Sequence, residues 1–222
     1  MIATRAEIRV KIPSVRMKRV VVHYHIFKNG GSTIESILER ELGFTFATLH
    51  ASNVDDILDN GALAAFLEAY PKVVAVTSHH LRYPKPVIGN AAVFDCCFFR
   101  DPLSRLQSLY SYYRRIESDE PLSQWARRLD ARQFMLRLVD QAPHQVSDVQ
   151  VNFLANSGIF ARPANESDLE RATDALRAMA IPGVLDMFDE SLVSAEYYLK
   201  PAFPTLRLDY VPRNVTPVAP VS

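Results

Sequence analysis

The 222-residue chain has little cysteine, no excess charge and no long apolar run. Its two cysteines, Cys96 and Cys97, are neighbours in an apolar stretch. Neighbours on a strand point to opposite faces, so they cannot pair with each other, and two buried free thiols fit a reducing compartment. The 25 Lys and Arg balance the 25 Asp and Glu. That balance removes any reason to expect bulk nucleic-acid binding or a polybasic membrane tether. Any anion must then be held by local geometry. No segment reaches the roughly 18 apolar residues of a membrane span. The basic stretch 1–18 lacks the apolar core of a signal peptide, and a cytoplasmic protein is expected. Internal repeats and low-complexity segments are also absent. No domain boundary stands out, so one domain over 1–222 is expected, with an N-terminal extension (1–18) and an irregular tail (212–222).

What is present is strand–helix alternation. Strands are expected at Arg19 to Ile26, Val73 to Val76 and Ala91 to Phe99, the last apolar almost throughout, as in a strand covered on both faces. Helices are expected from Ser32 or Thr33 to Leu42 (Gly43 as stop, Ser32 and Glu35 at capping-box spacing), from Asn53 or Asp55 to Tyr70, and from Pro102 to about Arg115 behind the cap Asp101. Further helices are read at about 121–140, 144–156, 166–180 and 189–199, with short strands at Pro182 to Phe188 and Leu206 to Val211. The fold class is α/β: a three-layer arrangement with a central, mainly parallel sheet flanked by helices.

Two loops carry chemistry. The first, His25-Ile26-Phe27-Lys28-Asn29-Gly30-Gly31-Ser32-Thr33, joins a strand to a helix. Its glycines free the backbone to turn its N–H groups to one point. The helix start adds unpaired N–H groups and a positive dipole end, and Ser32, Thr33 and Lys28 add hydroxyls and a charge. The sum is a phosphate cradle. It is not a Walker A loop, because Lys28 precedes the glycines; an ordinary Gly-Gly turn with an exposed lysine is the plainer alternative. The second runs Arg100-Asp101-Pro102-Leu103-Ser104-Arg105-Leu106-Gln107-Ser108-Leu109-Tyr110. Arg100 ends a buried strand, at the edge where open α/β sheets bind ligands. An Arg fork with the Ser108 hydroxyl suits a phosphate monoester. Two anion sites on one sheet edge suit a nucleoside with phosphates at both ends.

The first loop resembles the 5′-phosphosulfate-binding loop of sulfotransferases that use PAPS (3′-phosphoadenosine 5′-phosphosulfate), nearest to the branch of heparan sulfate 2-O- and 6-O-sulfotransferases and bacterial relatives. The second resembles that family's 3′-phosphate segment. The likeness is good over about residues 20–115 and looser beyond, where 150–154 and 186–192 resemble later segments. Phe27 stands where proline is usual. The resemblance implies a P-loop-like fold and a transferase that moves a sulfuryl group from PAPS to a hydroxyl, with a carbohydrate favoured as acceptor. Lys28 would contact the sulfate; Gly30, Gly31, Ser32 and Thr33 would hold the 5′-phosphate, with Asn29 helping. Arg100 and Ser108 would bind the 3′-phosphate. Arg213 or Asn214 would close over the nucleotide, leaving adenosine 3′,5′-bisphosphate as product.

Transfer needs a base of near-neutral pKa, and histidine suits that task. His79 and His80 follow the second strand, and His80, which precedes Leu81, is preferred. His23 and His25 share a strand face and read as core residues. With no Cys or carboxylate at ligand spacing beside them, no metal is expected. The arginines at 114, 115, 127, 128, 132 and 137 read as a solvated surface first and an anionic acceptor groove second. Tyr110, Tyr112 and Tyr113 suit stacking on a sugar, though helical spacing makes Tyr110 and Tyr113 core candidates first; Trp125 reads as a core anchor first and a lining of the acceptor cleft second. A P-loop kinase or hydrolase, and a non-catalytic nucleotide-binding module, are the competing classes. Oligomeric state is not readable.

Overall fold

The computed structural model describes residues 17–53, 56–89, 91–155 and 162–211. Five parallel strands, β1 (Lys18–Tyr24), β2 (Phe46–Thr48), β3 (Ala75–Ser78), β4 (Ala91–Phe99) and β5 (Ile181–Val184), form one sheet in the order β2-β3-β1-β4-β5. The helices are α1 (Gly31–Leu42), α2 (Asn60–Ala69), α3 (Pro102–Arg115), α4 (Pro121–Arg128), α5 (Ala131–Gln141), α6 (Val149–Ala155), α7 (Glu166–Ala178) and α8 (Phe188–Leu199).

Strand alternation builds two cores. Val20, Val22 and Tyr24 of β1 face Leu63 and Leu67 of α2, Phe153 and Leu154 of α6 and Ala172 of α7. Val21 faces the other way, onto Ile34, Ile37 and Leu38 of α1 and Leu192, Ala195 and Leu199 of α8. The spacing 34, 37, 38 is one helical face. The result is the three-layer α/β sandwich expected from the alternation. Cys97 and Cys96 divide between the same two cores, and both are free and buried. A third cluster, Leu106, Leu109, Ala126, Phe134 and Leu138, ties α3, α4 and α5 together beyond the sheet edge, with Trp125 and Tyr110 against it. Among the described residues, no helix is long and apolar enough to cross a membrane.

Several boundaries differ from expectation. β2, three residues at the sheet edge, was too short to read. α2 starts at Asn60 because Asp59 caps it, accepting from Ala62 N. Asn53 instead bonds Asp56 in a turn, and Asp55 lies outside the described residues. The 121–140 helix is two helices, restarted by a capping box between Asp130 and Gln133. The expected strand at Leu206 to Val211 forms no ladder. Its Arg207 and Leu208 N–H groups donate instead to Glu41 and Glu196 carboxylates. The tail from Pro212, with Arg213 and Asn214, and most of the N-terminal extension lie outside the described residues.

The chain leaves β1 toward β2 on one side and leaves β4 toward β5 on the other. In open α/β sheets the crevice between two such strands, at their carboxyl ends, is where ligands bind.

Candidate functional site

A cleft of about 710 Å³ opens at that crevice. This is within the roughly 300–1,000 Å³ of small-molecule sites. It is lined from the carboxyl ends of four strands: the loop after β1, His79 after β3, Arg100 after β4 and Leu185 after β5.

The loop after β1 is shaped by its two glycines. Gly30 caps α1 with φ of 80°, a left-handed conformation, and Gly31 is the first helical residue. A Cβ on Gly31 would lie 1.9 Å from Nε2 of His25, so only glycine lets that ring pack under the helix start. Lys28 is also left-handed, with φ of 68°. Such a backbone is uncommon for a residue with a side chain and marks an imposed shape. The expected Ser32–Glu35 capping box does not form, because the cap is Gly30 and no side chain bonds the helix start. Gly30, Gly31, Ser32 and Thr33 all line the cleft. Their first-turn N–H groups and the α1 dipole give it positive potential without formal charge.

Lys28 projects over the Tyr112 ring, its Nζ 4.5 Å from the ring centroid. Burial, then Arg115 and Arg100, lower its pKa to about 8. Arg100 lines the same cleft and donates from Nη1 to the Lys28 carbonyl at 3.2 Å. Its Nε is buried and, among the described residues, has no hydrogen-bond partner. Ser108 lines the cleft from α3. Arg105 does not; it is buried and donates to the Gln145 carbonyl.

Asn29 differs from expectation. Its side chain is buried away from the cleft and donates to the Phe98 carbonyl (2.8 Å) and to Gln150 Oε1 (2.9 Å). It therefore pins the loop to the end of β4. Gln150 holds the other side, accepting from Arg100 N (3.0 Å) and donating to Arg100 O (3.0 Å). One α6 amide thus ties the loop after β1 to the end of β4, and it falls in the 150–154 stretch that the resemblance singled out without a role.

The histidines are also rearranged. Ser78 ends β3 and its Oγ accepts from His80 N and Leu81 N, turning the chain. The turn sends His79 over the end of β1, into the cleft. His80 faces away, accepting from Ala51 N at Nδ1 and meeting the His50 ring edge-on. The preference for His80 is thus reversed by position. His79 Nδ1 bonds the His25 carbonyl at 3.0 Å. A carbonyl only accepts, so the proton sits on Nδ1 and Nε2 carries the lone pair. Burial, and then His25, hold its pKa down to about 4, so it is neutral at pH 7.

His25 does not stand alone either. Its ring stacks on His79 with centroids 3.7 Å apart, and its Nδ1 donates to Glu35 Oε1 at 2.8 Å. Glu35 comes from α1, one turn past the glycines, so the expectation that no carboxylate stands beside these histidines is corrected by the fold. Ligand atoms of His25, Glu35 and His79 lie within 4.8 Å of one another. A metal ion is nevertheless a poor fit. His25 Nδ1 is already spent on Glu35 Oε1 and His79 Nδ1 on the His25 carbonyl, and the two rings pack at a 32° tilt with centroids 3.7 Å apart.

Of the aromatic and cationic lining, sequence reasoning offered Tyr112 for a sugar and Arg115 for an anionic groove, and missed Phe188 and Tyr210. Phe27 packs edge-on to Tyr112 and His79 (5.1 and 6.0 Å between centroids). Tyr112, Arg115, Phe188 and Tyr210 also face the cleft. Tyr112 shares a helix face with Ser108 by its i, i+4 relation, which sets it apart from Tyr110 and Tyr113.

No family model matches the chain. A protein of Archaeoglobus fulgidus, described as uncharacterized, is 26% identical over 212 residues, covering 90% of this chain and 81% of that protein. The likeness extends over nearly the whole chain and brings no activity with it.

Proposed function

We propose that this chain is a sulfotransferase that uses PAPS as donor and an acceptor hydroxyl, most simply of a carbohydrate. The observation that carries the reading is the joining of Lys28, the Gly30–Thr33 helix start, Arg100 and Ser108 in one cleft at a switch point, with a neutral histidine beside them. The donor fits this lining: a glycine-cradled helix start for one phosphate, and Arg100 with Ser108 for the other.

The donor supplies the sulfuryl group, whose bond to the 5′-phosphate oxygen breaks as the acceptor oxygen bonds to sulfur. The rest of the work falls to the protein. Nε2 of His79 takes the acceptor's proton. Its Nδ1–H is held by the His25 carbonyl, which fixes both tautomer and ring direction. Lys28, protonated below about pH 8, places its charge where the leaving phosphate gains negative charge. Gly30 to Thr33 fix the 5′-phosphate by backbone donors, while Arg100 and Ser108 orient the other end. Asn29 and Gln150 keep the two segments in register. Phe27 and Tyr112 form an aromatic wall beside His79, suited to the apolar face of a sugar ring.

A P-loop kinase is the competing class. The loop has no lysine after its glycines, so a kinase would lack its usual contact to the outer phosphates.

The test is transfer of radiolabelled sulfate from PAPS to a panel of sugar and small-molecule hydroxyls, without divalent cation. Wild type should label at least one acceptor, and His79→Ala should lose roughly 10²–10⁴ in rate with bisphosphate affinity kept. His80→Ala should stay near wild type. If His80→Ala is the inactive variant, the base assignment fails. If ATP with Mg²⁺ is the donor instead, the class is wrong.

A further inference from the structure

Glu35 is the single carboxylate among the described residues that line the cleft, where Lys28, Arg100 and Arg115 supply positive charge. A carboxylate there repels an anionic donor, so its presence calls for a task. It is not a solvated helix-face residue. Its side chain is 28% exposed, and Oε1 accepts from His25 Nδ1 at 2.8 Å and from Thr77 Oγ1 at 3.2 Å. Thr77 Oγ1 in turn meets His23 Nδ1 at 2.9 Å. A carboxylate only accepts, so Thr77 gives its proton to Glu35 and takes one from His23. Every proton in this chain of bonds therefore points toward Glu35, as it would toward a fixed negative charge.

We propose that Glu35 is a positioning residue for the base His79: its carboxylate, held by His25 and Thr77, fixes the His25 ring on which His79 stacks and offsets the charge His79 gains on accepting a proton at Nε2. The inference rests on the sulfotransferase reading for the identity of the reaction, and on the geometry for the roles of the groups.

The groups facing His79 are few. His25 follows β1, with His23 on that strand behind it; Glu35 stands on α1; His50 follows β2, its ring stacked 6.3 Å from that of His79. Arg82, after β3, donates to the His79 carbonyl. The His25 and His50 rings disfavour a positive charge on His79, while Glu35, and after it the His25 carbonyl, favour it. Burial pushes the Glu35 carboxyl up, but the His25 hydrogen bond, the nearby His25 and His79 rings and the Thr77 hydroxyl outweigh it, so its pKa is lowered and it stays ionised. In the transfer step the acceptor O–H bond breaks, its proton goes to His79 Nε2, and Glu35 remains a carboxylate. The proton leaves His79 for solvent once product departs.

The substitutions that separate this role from a mere pin are Glu35→Gln, which keeps an acceptor but removes charge, and Glu35→Asp, which keeps charge. Bisphosphate affinity is read by calorimetry, rate by transfer assay, and the His79 ring by side-chain NMR. Glu35→Gln should bind adenosine 3′,5′-bisphosphate as tightly as wild type or tighter, since a repulsive charge is gone. Its kcat should fall about tenfold or more, within the ~10²–10⁴ that a positioned base supplies, and Glu35→Asp should recover part of that loss. In the free protein at pH 4, near its wild-type midpoint, His79 should be about half protonated, and in Glu35→Gln essentially unprotonated. The inference is overturned if Glu35→Gln loses affinity and rate in parallel with Asp no better, or if the His79 titration does not move. The NMR arm needs no substrate. A wild type that transfers nothing while His79 still shifts in Glu35→Gln would sink the sulfotransferase reading and leave the charge relation standing.

Discussion

Lys28 offers a thermodynamic prediction with a defined size. Its ordinary pKa of 10.5 falls to about 8, through burial first and then Arg115 and Arg100. At pH 8 it is therefore about half protonated in the free protein. A bound phosphate favours the charged form, so binding of adenosine 3′,5′-bisphosphate should draw the missing half-proton from solvent. Phosphate monoesters complete their second ionisation near pH 6, so at pH 8 the ligand adds almost nothing of its own. Calorimetric titrations in buffers of different ionisation enthalpy measure this uptake directly. Wild type minus Lys28→Met should give about 0.5 proton per nucleotide at pH 8 and near zero at pH 6. The variant should also bind roughly tenfold to a hundredfold more weakly, as expected for a lost charged hydrogen bond. The linkage fixes a further sign. A lysine whose folded pKa lies below its unfolded value makes the folded state less stable at low pH, and stability rises between about 8 and 10.5. Ligand-free Lys28→Met should thus melt higher than wild type at pH 7, with the gain fading between about pH 8 and 10.5. No difference in proton uptake at pH 8 would refute the placement of Lys28 in a half-buried, cation-crowded site.

Other outcomes follow from the same geometry. The pH profile of kcat/KM, which reports free-enzyme groups, should hold a plateau between about 4 and about 8, falling below as His79 protonates and above as Lys28 loses its proton; a profile flat through pH 8 to 10 would exclude Lys28 from the chemistry. Gly31→Ala places a Cβ 1.9 Å from His25 Nε2, so bisphosphate binding should drop sharply and the protein should lose about 1–3 kcal/mol from overpacking, read by denaturant midpoint. Arg100→Ala should weaken bisphosphate roughly tenfold to a hundredfold with adenosine 5′-phosphate little changed; equal losses for both ligands would deny Arg100 a 3′-phosphate. Asn29→Ala removes the bonds from the loop to Phe98 and Gln150 and should cost stability and donor affinity together, by melting and calorimetry.

Much of this was legible in the chain because it depends on local chemistry. The Val20 to Val22 run, the apolar 91–99 stretch and the Asp101-Pro102 start announce strands and a helix by composition alone. The Gly30-Gly31 turn announces itself by the freedom it needs. What failed depends on contacts between distant segments. Leu206 and Leu208 alternate with polar residues like a strand, yet carboxylates from α1 and α8 take the Arg207 and Leu208 N–H groups. Ser32 and Glu35 have capping spacing, yet Glu35 bonds His25. Asn29 read as a ligand contact, yet its amide closes on β4 and α6. Choosing between His79 and His80 required the direction of the turn at Ser78, which neighbouring residues do not encode.

The most direct test of the account is the affinity of the cleft for adenosine 3′,5′-bisphosphate against adenosine 5′-phosphate and ATP, measured by calorimetry with and without Mg²⁺. Two separate phosphate grips predict that the bisphosphate binds one-to-one without metal, at least tenfold tighter than either competitor. Equal affinity for the 5′-monophosphate, or a preference for ATP that requires Mg²⁺, would contradict it.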